Sequence, residues 1–391
     1  MSNIDNDRFV RLALTFLVAL LAPVYAASAL STSVVAISTG LGNHTCALTG
    51  ARGVKCWGAN EAGQLGNNSV SQSTIPVDVV GLASGVAAIA NGDEFTCALT
   101  RAGGVKCWGA NVNGQLGNPA FPDGSLTPID VDGLTAGAAA ISAGEGHACA
   151  LTKAGGVKCW GFNGNGQLGN GTIVDSSTPV DVVGLGSGVK AVAAGYDHTC
   201  ALTTMGGIQC WGFNGFGQFG NGTTVDSPTP VAAGLTAGVA AIAVGSFHTC
   251  GLSTGGVLKC WGLNQNGQLG SGSTAQFEDT PVEVTRLGSE VLAVSGGAFH
   301  TCALTEDHAE CWGSNAYGQL GDGTTADRFT PVTVKGLGDD INHISAGGAH
   351  TCAITEDGGA KCWGWNFSGQ LGNNTTINSS KPVAVYGLGG D

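Results

Sequence analysis

The sequence predicts an all-β protein, a seven-bladed β-propeller built from four-stranded blades. Three observations lead there. Cysteines recur at Cys46, Cys97, Cys149, Cys200, Cys250, Cys302 and Cys352, 50 to 52 residues apart, and each is followed nine or ten residues later by a second cysteine and a tryptophan. Each period holds four short apolar bursts bounded by Gly, Asn, Asp and Pro; in residues 85–131 they read GVAAIA, TCALT, VKCWG and TPIDV. Beyond the N-terminus, no stretch carries the long 3.6-residue apolar period of an amphipathic helix.

The chain opens MSNIDNDRFVRLALTFLVALLAPVYAASA, where the apolar run Leu12–Leu21 breaks at Pro23 and gives way to small residues. That run is short for a bilayer span and predicts a signal peptide over residues 1–26, although Asp5 and Asp7 offset Arg8 and Arg11. The expected location is secreted, periplasmic or cell surface, with no transmembrane segment in the mature chain. Residues 30–391 then form one domain of seven repeats, at about 33–82, 83–134, 135–185, 186–235, 236–287, 288–337 and 338–388. The array starts on a first burst, Val34–Ile37, and ends on a fourth, Pro382–Val385. The expected ring closure is by pairing of the N- and C-terminal strands, which removes exposed sheet edges.

Within repeat 2, pairing the strands about the turn sets Cys97 opposite Cys107 and Leu99 opposite Val105, with Gly103 and Gly104 supplying the positive-φ positions. Directly opposed residues on antiparallel strands lie within disulfide reach. The expected bridges are Cys46–Cys56, Cys97–Cys107, Cys149–Cys159, Cys200–Cys210, Cys250–Cys260, Cys302–Cys311 and Cys352–Cys362, which use all 14 cysteines. Zinc ligation and free thiols are the competing readings, and connectivity does not follow from sequence alone. Export and even pairing favour disulfides. Alternation in VKCWG puts Val and Cys on one face of the strand and Lys and Trp on the other, so disulfide and indole fill opposite faces of a blade. The GQLG and GQFG phrases read as scaffold turns whose Leu or Phe plugs the core and whose Gln satisfies buried backbone groups.

The formal charge of −13 and the lack of Lys/Arg clusters argue against a nucleic-acid partner. Gly251–Gly255 matches GxSxG and Gly164–Gly169 matches GxGxxG, but the first sits on a hairpin turn and the second is a GQLG turn with no βαβ unit around it. No cofactor and no metal are expected. His44, His147, His198, His248, His300 and His350 recur one per repeat, with Phe95 in the same place in repeat 2, and read as structural hydrogen-bonding groups.

Strands of alternating direction send successive connections to alternate faces of the ring. The loop before HTCAL and the long loop holding GQLG therefore share a face, which collects the residues that vary between repeats. Asp93, Glu94, Glu145, Tyr196, Asp197, Phe247 and Phe299 lie in the short loops; Phe216, Tyr317, Trp365 and Phe367 lie in the long ones. Aromatics with an acidic rim suit a protein or glycan partner.

The phrases GxxHTCALT, VKCWGxNxxGQLG and PVxV resemble the regulator of chromosome condensation repeat, in the cysteine-bearing form of secreted bacterial proteins, over essentially the whole array. The resemblance implies the seven-bladed propeller. For function it implies less, since the family spans a guanine-nucleotide exchange factor, an ultraviolet-B photoreceptor and a secreted β-lactamase inhibitor. The even spacing leaves no room for the exchange factor's wedge, and no Trp precedes the His positions as in the photoreceptor. The expected function is non-catalytic binding by a monomer. The alternatives are a structural cell-surface module, a polysaccharide-active enzyme using Asp93 or Glu145, and a nucleotide-exchange regulator. If the pairing is as expected, the denatured mature chain takes up no iodoacetamide until it is reduced, and then takes up fourteen equivalents. Alkylation without reductant would contradict it.

Overall fold

A computed structural model describes residues 33–338 and 341–389; the expected signal peptide lies outside them. Among the described residues there are 28 strands and no helix. They form seven separate four-stranded antiparallel sheets, each made of four consecutive strands. Blade 2 is typical, with strands Val86–Asn91, Phe95–Thr100, Val105–Gly109 and Ser125–Asp130. First strands of neighbouring blades lie against one another around the centre, and the fourth strands form the rim.

The expected closure is corrected by this topology. Val34–Ser38 pairs with His44–Thr49 of its own blade, and the final strand, Ser379–Ala384, pairs with Ala360–Gly364 of its own blade. Blades and sequence repeats share one phase, so no strand is left over to exchange. Blade 7 meets blade 1 through the bonds that join the other blades, among them Val34 N–H to the Gly358 carbonyl at 2.8 Å, the counterpart of Val86 N–H to Arg52 between blades 1 and 2. The outer edges are protected in another way. Every fourth strand carries a proline (Pro76, Pro128, Pro179, Pro230, Pro281, Pro331 and Pro382), which cannot donate to an added strand.

Within each blade the second and third strands hold the cysteine pair in direct register, and all seven bridges form with Cα atoms 4.0–4.1 Å apart. The turn between them departs from the expectation in one detail. Gly103 has φ +89°, but Gly104 does not have positive φ, and Arg52 takes the Gly103 place in blade 1 at φ +64°. Gly104 is needed for space, because a Cβ there would come within 2.6 Å of the Thr135 carbonyl oxygen.

Each interface between blades follows one plan. The disulfide of one blade and the Leu or Phe of its GQ turn pack with the Trp of the next, as Cys97, Cys107 and Leu116 do with Trp160. The indole N–H of every repeat Trp donates to the carbonyl of the preceding blade's Gln at 2.7–2.9 Å, from Trp57 on Gln370 to Trp363 on Gln319. The Thr of HTC donates to the same carbonyl in six blades. The preceding blade's His Nε2 bonds that Thr hydroxyl at 2.8–3.1 Å.

The interface between blades 2 and 3 lacks this His–Thr bond, and both ends are changed together: Phe95 replaces His and Ala148 replaces Thr. The two pack in one apolar cluster. Either reversion alone would change one half of a matched pair. Phe95→His alone is expected to lose about 1–3 kcal/mol through an unpaired buried imidazole. Adding Ala148→Thr should recover at least about 1 kcal/mol of this in a double-mutant cycle by urea unfolding; zero coupling would contradict the pairing.

All six histidines of this ring are fully buried. Burial pushes their pKa from the ordinary 6.5 to about 3, and to about 4 for His248. As the pH falls from 6.5 the unfolded chain binds protons that the folded chain excludes. Their contribution to stability is therefore complete above pH 6.5 and lost towards pH 3, each imidazole forfeiting about 2 kcal/mol at pH 5. Melting temperature should drop steeply between pH 7 and 5, and a flat profile would contradict neutral burial.

Candidate binding face

The loop before each HTC strand and the residue after each CWG lie side by side, because a backbone bond ties them within every blade. Phe213 N–H donates to the Asp197 carbonyl, Phe162 N–H to Gly146, Ser314 N–H to Phe299 and Trp365 N–H to Ala349, at 2.8–2.9 Å. The loops are also bonded from blade to blade: Asp93 N–H to the Glu145 carbonyl, Tyr196 N–H to Ser246, Ser246 N–H to Gly297 and Ala298 N–H to Gly347. A circle of short loops with fixed backbone therefore presents the variable side chains on one face. Long loops are pinned too. In each blade the Asn after CWG-x accepts from the backbone N–H of the GQ turn's Leu or Phe, as Asn163 Oδ1 does from Leu168 at 2.9 Å, and its amide donates to carbonyls further along the loop.

This framework brings eight of the eleven expected residues into one arc. Tyr196 packs on Phe247 with ring centroids 5.1 Å apart, and Phe216 and Phe299 lie 5.7 and 6.5 Å from Phe247. On the other side of Tyr196 lies the Glu145 carboxylate, close enough to raise the Tyr196 phenol, with Asp93 and Glu94 near it. Asp197, next to Tyr196, accepts from the Gln167 amide at 2.9 Å. Tyr317 and Trp365 form a separate stacked pair at 5.3 Å. Phe367 makes no ring contact with the others among the described residues and is 72% exposed, against 40% for Phe299 and 42% for Tyr317. Most other rings of the arc are half-buried.

One member was missing from the expected set. Phe213 packs on Phe216 and Phe247 with centroids 5.8 and 6.2 Å apart. Its signal lay in the position after CWG, which reads Ala59, Ala110, Phe162, Phe213, Leu263, Ser314 and Trp365 around the ring.

Three carboxyls of the arc are held protonated to higher pH than usual. Burial, then the neighbouring Glu94 and Glu145, pushes Asp93 up to about 6. Burial does the same for Asp197, also to about 6, and raises Glu145, which the nearby Tyr196 phenol partly offsets. The Tyr196 phenol is pushed up to about 12 by burial and by Glu145. These carboxyls stabilise the fold at low pH, opposite in sign to the histidines, but they are three against six.

Gln167 finds its acceptor in Asp197, the residue before His198 in the next blade. The residues at that place for Gln218, Gln268 and Gln370 are Phe247, Phe299 and Asn43, and all three amides, fully buried, lack an acceptor among the described residues. An aspartate completes the bond where the two phenylalanines leave a buried donor unpaired.

Comparison with known proteins agrees with the geometry. Residues 123–391 match the RCC1-like domain, and residues 34–64, 54–99 and 86–115 match regulator of chromosome condensation (RCC1) repeats. The chain is 34% identical over 303 residues to the ultraviolet-B receptor UVR8 of Arabidopsis thaliana, covering 75% of this chain and 68% of the receptor. It is 34% identical over 195 residues to the probable E3 ubiquitin-protein ligase HERC4 of Rattus norvegicus, of which it spans only 18%. Among solved structures, human WBSCR16 superposes with a TM-score of 0.76 at 25% identity, over 84% of this chain and 92% of that one. Yeast RCC1 (Prp20), solved with Kap60 bound, superposes with a TM-score of 0.77 at 20% identity, over 95% and 90%. The chain belongs to the regulator of chromosome condensation family.

Proposed function

We propose that this protein is a secreted, non-catalytic propeller that binds a protein partner through the arc running from Asp93 to Phe299. The observation that carries the reading is the pair Phe247 and Phe299. Each occupies a place where Asp197 shows that a polar acceptor completes a buried bond, so the rings are retained at a cost to the fold. Half-exposed aromatics on a fixed backbone, flanked by carboxylates, have the make-up of a protein-binding hot spot. Seven disulfides support an oxidising location outside the cytosol. A relative in this family, yeast RCC1 (Prp20), was solved with Kap60 bound, which is consistent with the reading.

The test uses Phe299→Asp, which copies Asp197 and offers Gln268 an acceptor while removing an exposed ring. Melting temperature should hold or rise, by about 1 kcal/mol of stability, while capture of a partner from culture medium and envelope extract, identified by mass spectrometry, is lost. A variant that melts lower yet captures normally would refute the assignment. Capture of a polysaccharide instead of a protein would replace the partner class with a glycan.

A further inference from the structure

We infer that the partner engages this face with an arginine side chain, seated at Tyr196 where the carboxylates meet the phenyl rings. This deepens the reading of the arc as a protein-binding surface and rests on it. Three independent features of the face converge on that chemistry.

The first is uncompensated charge. Among the described residues the ion pairs join Lys55 to Asp78, Lys106 to Asp130, Lys158 to Asp181, Arg328 to Asp322 and His308 to Glu310. None reaches Asp93, Glu94, Glu145 or Asp197; burial first, and then the charges of neighbouring carboxylates, raise Asp93 and Glu145. A cation brought to the arc relieves that repulsion directly, and the chain's net charge of −13 favours its approach.

The second is the geometry of Tyr196. Its ring lies 5.1 Å from Phe247 at an interplanar angle of 33°, and the Glu145 carboxylate is close enough to raise its phenol. A planar cation over these rings is therefore within reach of a carboxylate at its edge. Guanidinium meets both demands, stacking on an aromatic face while donating two parallel hydrogen bonds; an ammonium group offers no plane to stack.

The third is the backbone that carries the arc. The loop backbone is bonded from Asp93 to Glu145 and from Tyr196 to Ser246, so little ordering is needed on binding.

The probe is an octapeptide alternating glycine and arginine, compared by titration calorimetry with its citrulline twin, which keeps the shape and removes the charge. The arginine peptide should bind at least about tenfold more tightly than the citrulline one, a gap of about 1.4 kcal/mol. Glu145→Gln, which removes a crowded charge and should melt no lower than the native chain, should abolish that gap; Tyr196→Ala should weaken arginine binding as a second, charge-neutral variant. Equal binding of the two peptides, binding of neither, or an arginine preference that survives both variants would overturn the arginine seat. If the seat fails while Phe299→Asp still abolishes partner capture, the binding face stands without it. If Phe299→Asp leaves capture intact, the face itself is wrong.

Discussion

One backbone carbonyl in each blade, that of the Gln in the GQ turn, accepts the indole N–H of the next blade's Trp and, in six of seven blades, that blade's Thr hydroxyl as well. Much of the repeated phrase exists to place this atom and cover it. The Gln side chain steadies its own turn, as Gln64 Oε1 does by accepting from Ala62 N–H, and the neighbouring Asn holds the loop from below. The final Gly of the turn must stay bare: at Gly66, with φ +67°, a Cβ would lie 2.6 Å from the Trp108 indole nitrogen. Leu, disulfide and indole then seal the layer from water, where a buried N–H···O=C bond is expensive to break.

Because the same joint is made at every interface, the ring has no special seam. Trp57 on Gln370 and His350 on Thr45 join the last blade to the first without strand exchange. The disulfides act at another level, fastening the second and third strands of each blade so that a blade holds its shape before its neighbours pack. Prolines in the outer strands then limit the edges that seven independent sheets leave open.

Periodicity made the fold legible. Fifty-residue spacing, four bursts per period and cysteines in hairpin register each correspond to a local rule, and the strands fall on the bursts. Long-range relations were harder to see. The matched change of Phe95 and Ala148 is split across 53 residues and becomes a pair only when blade 2 faces blade 3. Closure was misjudged because edge protection can be met by proline as well as by strand exchange, and the sequence satisfies either. At the candidate face, the aromatics and acids stood out as variation against a repeated background. Phe213 did not, although Trp365 at the equivalent place did; the unpaired Gln218 and Gln268 amides required knowledge of where Gln167 points.

A Trp–Gln bond kept at all seven interfaces and loops that vary widely are two sides of one design: the loops vary because the joint beneath them is fixed. The measurement that tests this most directly is hydrogen exchange of the indole N–H groups, followed by NMR on chain labelled with ¹⁵N-tryptophan. Of the eight indoles, the seven that reach a Gln carbonyl should exchange slowly and together, Trp57 among them, while Trp365 on the variable face exchanges fast. Exchange of Trp57 far ahead of the other six would reveal a weak seam between the first and last blades and contradict the account.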